Sequence, residues 1–66
     1  MKGPDFRPMV EGPIDGNAFA IMGVVSRALR RAGADKEYIN LYMEEAMSKS
    51  YDNLLKVSME HVDFDL

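Results

Sequence analysis

The sequence predicts an all-α fold: a three-helix bundle around one core, with orthogonal or bundle-like packing, behind an extended Pro/Gly-rich N-terminal arm. Three observations lead there. Apolar residues recur at helical spacing in three successive segments, each segment opens on a residue able to cap a helix, and Pro4, Pro8 and Pro13 all fall within the first fourteen positions. No alternation of apolar and polar residues persists long enough to imply a sheet. The chain divides into a flexible arm over 1–14, a three-helix domain over 15–62 and an acidic, apolar tail over 63–66.

The arm cannot be a continuous helix or a central strand, because proline fixes φ and lacks a backbone donor. Phe6, Met9 and Val10 are its residues able to fold back onto the domain. The first helix is expected at about 16–32. Asp15 is its expected cap, and Ile14 before the cap is placed to meet Phe19 as a hydrophobic staple. Ala18, Ile21, Met22, Val25, Ala28, Leu29 and Ala32 then fill one side of the helix, an arc of roughly 120°. Arg30 and Arg31 suit the negative end of its dipole, and Gly33 supplies a left-handed stop.

The second helix is expected at about 36–48, capped by Asp35. Tyr38, Ile39, Tyr42, Met43, Ala46 and Met47 form its apolar face, and Glu45 with Lys49 forms an i,i+4 pair. Ser48-Lys49-Ser50 breaks the pattern, and Ser50 caps a third helix at about 51–62. Its core side carries Tyr51, Leu54, Leu55, Ser58, Met59 and Val62. Linkers this short force neighbouring helices to pack on one another.

A chain of 66 residues forms one domain and has a thin stability margin. It has no cysteine, and His61 is its only histidine, which excludes a disulfide framework and a Cys/His zinc site. Stability must come from helix packing. The net charge of -3 gives no global reason for nucleic-acid binding, and no apolar run is long enough to span a membrane. Neither a secretory signal nor a cysteine is present, so the default expectation is a cytoplasmic protein.

For catalysis, metal binding and nucleic-acid binding, a purely structural role of the same residues is the competing reading. Ser58 and His61 lie three apart on one helix, but no glycine elbow or oxyanion cradle accompanies them, so no enzymatic activity is expected. Glu60, Asp63 and Asp65 lack the calcium-loop pattern, and no metal or cofactor is expected. Arg27, Arg30 and Arg31, with Lys36 beyond the turn, form a basic face that is the runner-up: a nucleic-acid-binding accessory domain. The acidic residues on helices two and three oppose it. Phe19, Val24, Leu41 and Val57 lie outside the core stripes. Phe19, Leu41 and Val24, with the small residues Ala20 and Gly23, are the candidate protein interface. The partner is a protein, a second copy of this chain included.

The run from Ile14 to Gly23, the stretch Ala28-Leu29-Arg30-Arg31-Ala32-Gly33 and the later Ser50-Tyr51-Asp52-Asn53-Leu54-Leu55 together resemble a family of small uncharacterised helical proteins of bacteria, phages and other mobile elements. The similarity covers roughly residues 14–62. It rests on caps and core positions, so it implies a fold and an accessory role without supplying catalytic or binding residues. The rhythm of Leu29, Ala32-Gly33-Ala34 and Leu54-Leu55 also resembles ubiquitin-associated domains. That family's aromatic residue after the loop glycine is here Ala34, and helix two is longer, so only topology is implied. The reading is a small non-enzymatic protein-interaction module, such as an accessory protein of a phage or mobile element.

Overall fold

The computed structural model describes residues 1–12 and 14–65, so what was expected of Pro13 and Leu66 lies outside the described residues. Five elements follow one another: strand β1 (Met9–Glu11), helix α1 (Ala18–Arg31), helix α2 (Lys36–Met47), helix α3 (Tyr51–His61) and strand β2 (Asp63–Asp65). The three helices stand where the periodicity puts them. The purely helical expectation is corrected by a two-stranded parallel sheet in which Met9 pairs with Asp63, Val10 with Phe64 and Glu11 with Asp65. Each strand has three residues, too few to leave a readable alternation. The pairing joins the two ends of the chain, a long-range event on which local propensity is silent.

The caps explain where the helices begin. Asn17 rather than Asp15 caps α1, accepting from the Phe19 amide at 2.9 Å, while Asp15 accepts from the Asn17 amide at 2.9 Å. Asp15 therefore shapes the turn and hands the cap to Asn17. That shift removes the expected staple, and Phe19 is 76% exposed. Asp35 caps α2 by accepting from the Tyr38 amide at 2.9 Å, and Ser50 caps α3. The Tyr38 amide, helped by the amide of Lys2, holds the Asp35 carboxyl below the usual carboxylate range. Gly33 has φ 104°, where a Cβ would be strained and would also meet the side chains of Asp5 and Lys2. The Glu45–Lys49 pair does not form, because α2 ends at Met47, ahead of Lys49. The backbone carbonyl of Glu45 instead accepts from the Ser48 hydroxyl and the Asn53 amide group.

Val25, Leu29, Tyr42 and Val62 are wholly shielded at the centre, with Ile21, Met22, Ile39 and Leu54 around them. Met43 and Leu55 are half-buried at the core's margin. Helix α3 is turned further toward α2 than its sequence pattern implies. Val57, expected outside the core, is buried, whereas Met59, Met47 and Tyr51, expected inside it, are exposed. The one buried polar side chain of α3, Ser58, lies 2.6 Å from the Tyr42 hydroxyl.

Residues 1–12 lie along the domain as a strap. Its first contacts close the α1–α2 turn. The Asp5 amide donates to the Ala32 carbonyl at 2.7 Å, the Lys2 ammonium donates to the Gly33 carbonyl at 2.8 Å, and the Lys2 amide and carbonyl bond Asp35. Arg7 then reaches the far end of α3. Its guanidinium donates to the carbonyls of Met59, Glu60 and Val62 and, at 2.8 Å, to the Asp63 carboxylate. Pro8 and Val10 are buried, while Phe6 and Met9 stay exposed.

Carbonyls at a helix end have no partner within the helix, and a guanidinium satisfies several at once. We expect Arg7→Ala to destabilise the domain by about 2 kcal/mol in urea unfolding and to speed exchange of the Asp63 amide. Arg30→Ala, which removes an exposed arginine, is expected to change stability by no more than about 0.5 kcal/mol.

Candidate functional site

The groups weighed for catalysis are absorbed by the core. Ser58 is fully buried with its hydroxyl on Tyr42, not on His61. The Nδ1 atom of His61 lies 3.0 Å from the Tyr38 hydroxyl, and its ring meets those of Tyr38 and Tyr42 edge-on, with centroids 5.6 and 5.2 Å away. This is a packed aromatic corner that joins α2 to α3. Burial pushes the Tyr42 hydroxyl above its usual value of 10, against the opposing effect of the Ser58 hydrogen bond. Among the described residues no three His, Asp or Glu side chains gather to hold a metal ion. No described helix is long and apolar enough to cross a membrane.

The residues singled out as a protein interface are not brought together. Phe19 stands over a shallow depression with Met47, Lys49 and Tyr51. Leu41 sits elsewhere, among Lys36, Glu37, Asn40 and Glu44. Val24 lies beside β1 with Met9, Glu11, Arg27 and Arg31, and Ala20 and Gly23 are half-buried on α1. Lying outside the apolar stripes does not place residues side by side, and here Leu41 is on α2 while the others are on α1. Arg27, Arg30, Arg31 and Lys36 are exposed as expected. Arg27 and Arg31 share their surface with Glu11, and Lys36 shares its own with Glu37 and Glu44, so no unbroken basic face results.

The strongest surface feature is one that the helical pattern hides. Between α3, β2 and the turn before α1 runs an open apolar groove of about 510 Å³, lined by Ile14, Leu55, Met59, Val62 and Phe64, with Ile21 at its floor and Asp15 and Gly16 at its rim. Three causes build it. The turn of α3 toward α2 leaves Leu55 and Met59 at the core's edge, and Met59 is 59% exposed. The strand pairing puts Phe64 on the same face as buried Val10. The segment from Ile14 to Gly16 is held against α3 by a hydrogen bond from the Tyr51 hydroxyl to the Gly16 carbonyl. In the sequence, Ile14, Met59 and Phe64 look like a staple, a core residue and a tail residue. Their meeting depends on the sheet, and the only sequence signal for it is the apolar–acidic alternation of the tail.

Comparison with known proteins gives no neighbour: no family model, no curated protein and no solved structure matches this chain.

The exposed groove residue Met59 should be dispensable for folding. We expect Met59→Ser to change stability by less than about 0.5 kcal/mol in urea unfolding, whereas Leu54→Ala, which empties a buried core position, costs about 3 kcal/mol. For Tyr42 the sign is fixed by its raised value. A hydroxyl harder to ionise in the folded state adds stability that is complete below pH 10 and is lost as the pH rises past 10 toward the folded value. Unfolding followed from pH 8 to 11 (roughly the span of tyrosine ionisation) should show that loss, and Tyr42→Phe should remove its part of it. At neutral pH the same variant should cost about 1 kcal/mol by leaving Ser58 without its partner.

Proposed function

We propose that this chain is a small non-enzymatic protein-interaction module that binds a protein partner through the groove between α3 and β2. The single observation behind this reading is the groove itself. Leu55, Met59 and Phe64 leave apolar surface in water beside a complete core, in a domain small enough that burying them would have added stability. The apolar lining suits an apolar side chain of the partner, and Met59 is adaptable in shape. No nucleophile, base or metal-ligand grouping competes with this reading among the described side chains. An accessory protein of a phage or other mobile element is the setting that the sequence resemblance suggests.

A second reading is supported by one observation. Arg27, Arg30, Arg31 and Lys36 make no ion pair among the described residues, which leaves them available to phosphates in a nucleic-acid-binding accessory domain. The acidic side chains interspersed among them weigh against it.

Affinity capture separates the two. The tagged chain should retain a protein that Met59→Asp fails to retain while keeping its helical circular dichroism, and Arg27→Ala with Arg30→Ala should leave capture unchanged. Equal capture by wild type and Met59→Asp overturns the groove reading. Amide shifts confined to Arg27, Arg30, Arg31 and Lys36 on adding duplex DNA, and lost in salt, would establish the second reading in its place.

A further inference from the structure

We propose that the free edge of β2 receives an extended segment of the partner as a third, antiparallel strand, and that this segment carries an apolar residue flanked on both sides by lysine or arginine. The proposal rests on the protein-interaction reading above and gives it a partner chemistry.

The ladder shows which backbone groups are free. The Asp63 amide donates to the Pro8 carbonyl at 3.0 Å, and the Gly12 amide donates to the Asp65 carbonyl at 2.8 Å. With Met9, Val10 and Glu11 opposite Asp63, Phe64 and Asp65, every β2 group turned toward β1 then belongs to Asp63 or Asp65. The amide and carbonyl of Phe64 point to the other side, where they have no backbone partner among the described residues. A donor and an acceptor on one edge residue match the closely spaced bond pair of an antiparallel strand.

The faces of the sheet then set the sequence of the guest. Phe64 shares a face with buried Val10 and lines the groove, so a residue placed opposite Phe64 would turn its side chain into the groove beside Leu55 and Met59. Its two neighbours would turn to the solvent face. There Asp63, Asp65 and Glu11 are all exposed, and Glu11 stands directly across from Asp65 in the register. Like charges opposed across a ladder are destabilising, and among the described residues Arg7 forms its ion pair with Asp63, not with Glu11 or Asp65. Cations beside Asp63 and Asp65 would relieve that repulsion. A second copy of this chain would worsen it, because antiparallel pairing about Phe64 sets each Asp63 against an Asp65. The charge pattern therefore selects a basic segment of a different protein.

The test is an amide-resolved titration of the full chain with three capped peptides: Thr-Lys-Val-Lys-Thr, Thr-Glu-Val-Glu-Thr, and the first peptide with its valine N-methylated. Shifts should centre on Leu55, Met59 and Phe64. The lysine peptide should bind about tenfold more tightly than the glutamate peptide, with the gap narrowing as salt is added. N-methylation, which removes the donor aimed at the Phe64 carbonyl, should abolish binding. Equal binding of the lysine and glutamate peptides, undiminished binding of the N-methylated one, shifts centred away from β2, or self-association through Phe64 would each overturn the proposal. If one of these is found while Met59→Asp still releases the captured protein, the strand mode is wrong and the interaction reading stands. If Met59→Asp releases nothing, the interaction reading falls with it.

Discussion

Helix ends must find partners, and in a chain this short that requirement shapes the whole molecule. Each of its helices leaves terminal carbonyls that the helix itself cannot satisfy. Arg7 answers it at α3 with one guanidinium shared among the carbonyls of Met59, Glu60 and Val62 and the Asp63 carboxylate. Because Arg7 lies far from α3 in sequence, this bonding brings the arm across the domain. Once Arg7 is fixed, Pro8 is placed to accept from the Asp63 amide and Val10 to enter the core. The sheet follows from the capping.

The same strap closes the other end. Lys2 and Asp5 serve the carbonyls of Gly33 and Ala32 at the close of α1, and the Lys2 amide adds to the cap of α2. Gly33 permits this twice over. Its positive φ ends α1, and its missing Cβ leaves room for the side chains of Lys2 and Asp5. With no cysteine to form a disulfide, the domain ties its N-terminal segment down through Lys2 and Arg7, whose charge-assisted hydrogen bonds to main-chain carbonyls are stronger than neutral ones.

The helices were legible because their determinants are local. Asp35, Ser50 and Gly33 act on the next or previous turn, and the apolar stripe of α1 from Ile21 to Leu29 is buried as the period demands. The cap of α1 moved by two residues because Asp15-Gly16-Asn17 contains two capable side chains, and only the turn geometry chooses between them. The strands were illegible for the opposite reason. Met9–Glu11 and Asp63–Asp65 have no stability apart from each other, and nothing within either segment names its partner. The groove inherits that illegibility. It depends on the rotation of α3, which buried Val57 in place of Met59, and a helical wheel cannot fix a rotation set by the packing of α2. Phe19, Val24 and Leu41 share only their place outside the apolar stripes, and the fold disperses them.

Strap and groove form one mechanical unit. The carbonyls that Arg7 holds belong to Met59, Glu60 and Val62, and two of those residues, Met59 and Val62, also line the groove. Val62 leaves helical geometry at φ -138° and ψ 161°, so the chain turns there from α3 into β2 at the point where Arg7 grips it. The bonds of Arg7 to Met59, Glu60 and Val62 therefore brace the bend that sets Met59 on the helix against Phe64 on the strand. The edge of β2 is also defended against its own kind. Strands of three residues with Asp63, Asp65 and Glu11 facing water are short and charged, two of the devices that keep sheet edges from pairing indiscriminately. This surface is apolar on one face and acidic on the other, and the Phe64 amide and carbonyl have no backbone partner among the described residues. That combination is what a selective contact requires of so small a fold, since selectivity comes as much from what is repelled as from what fits.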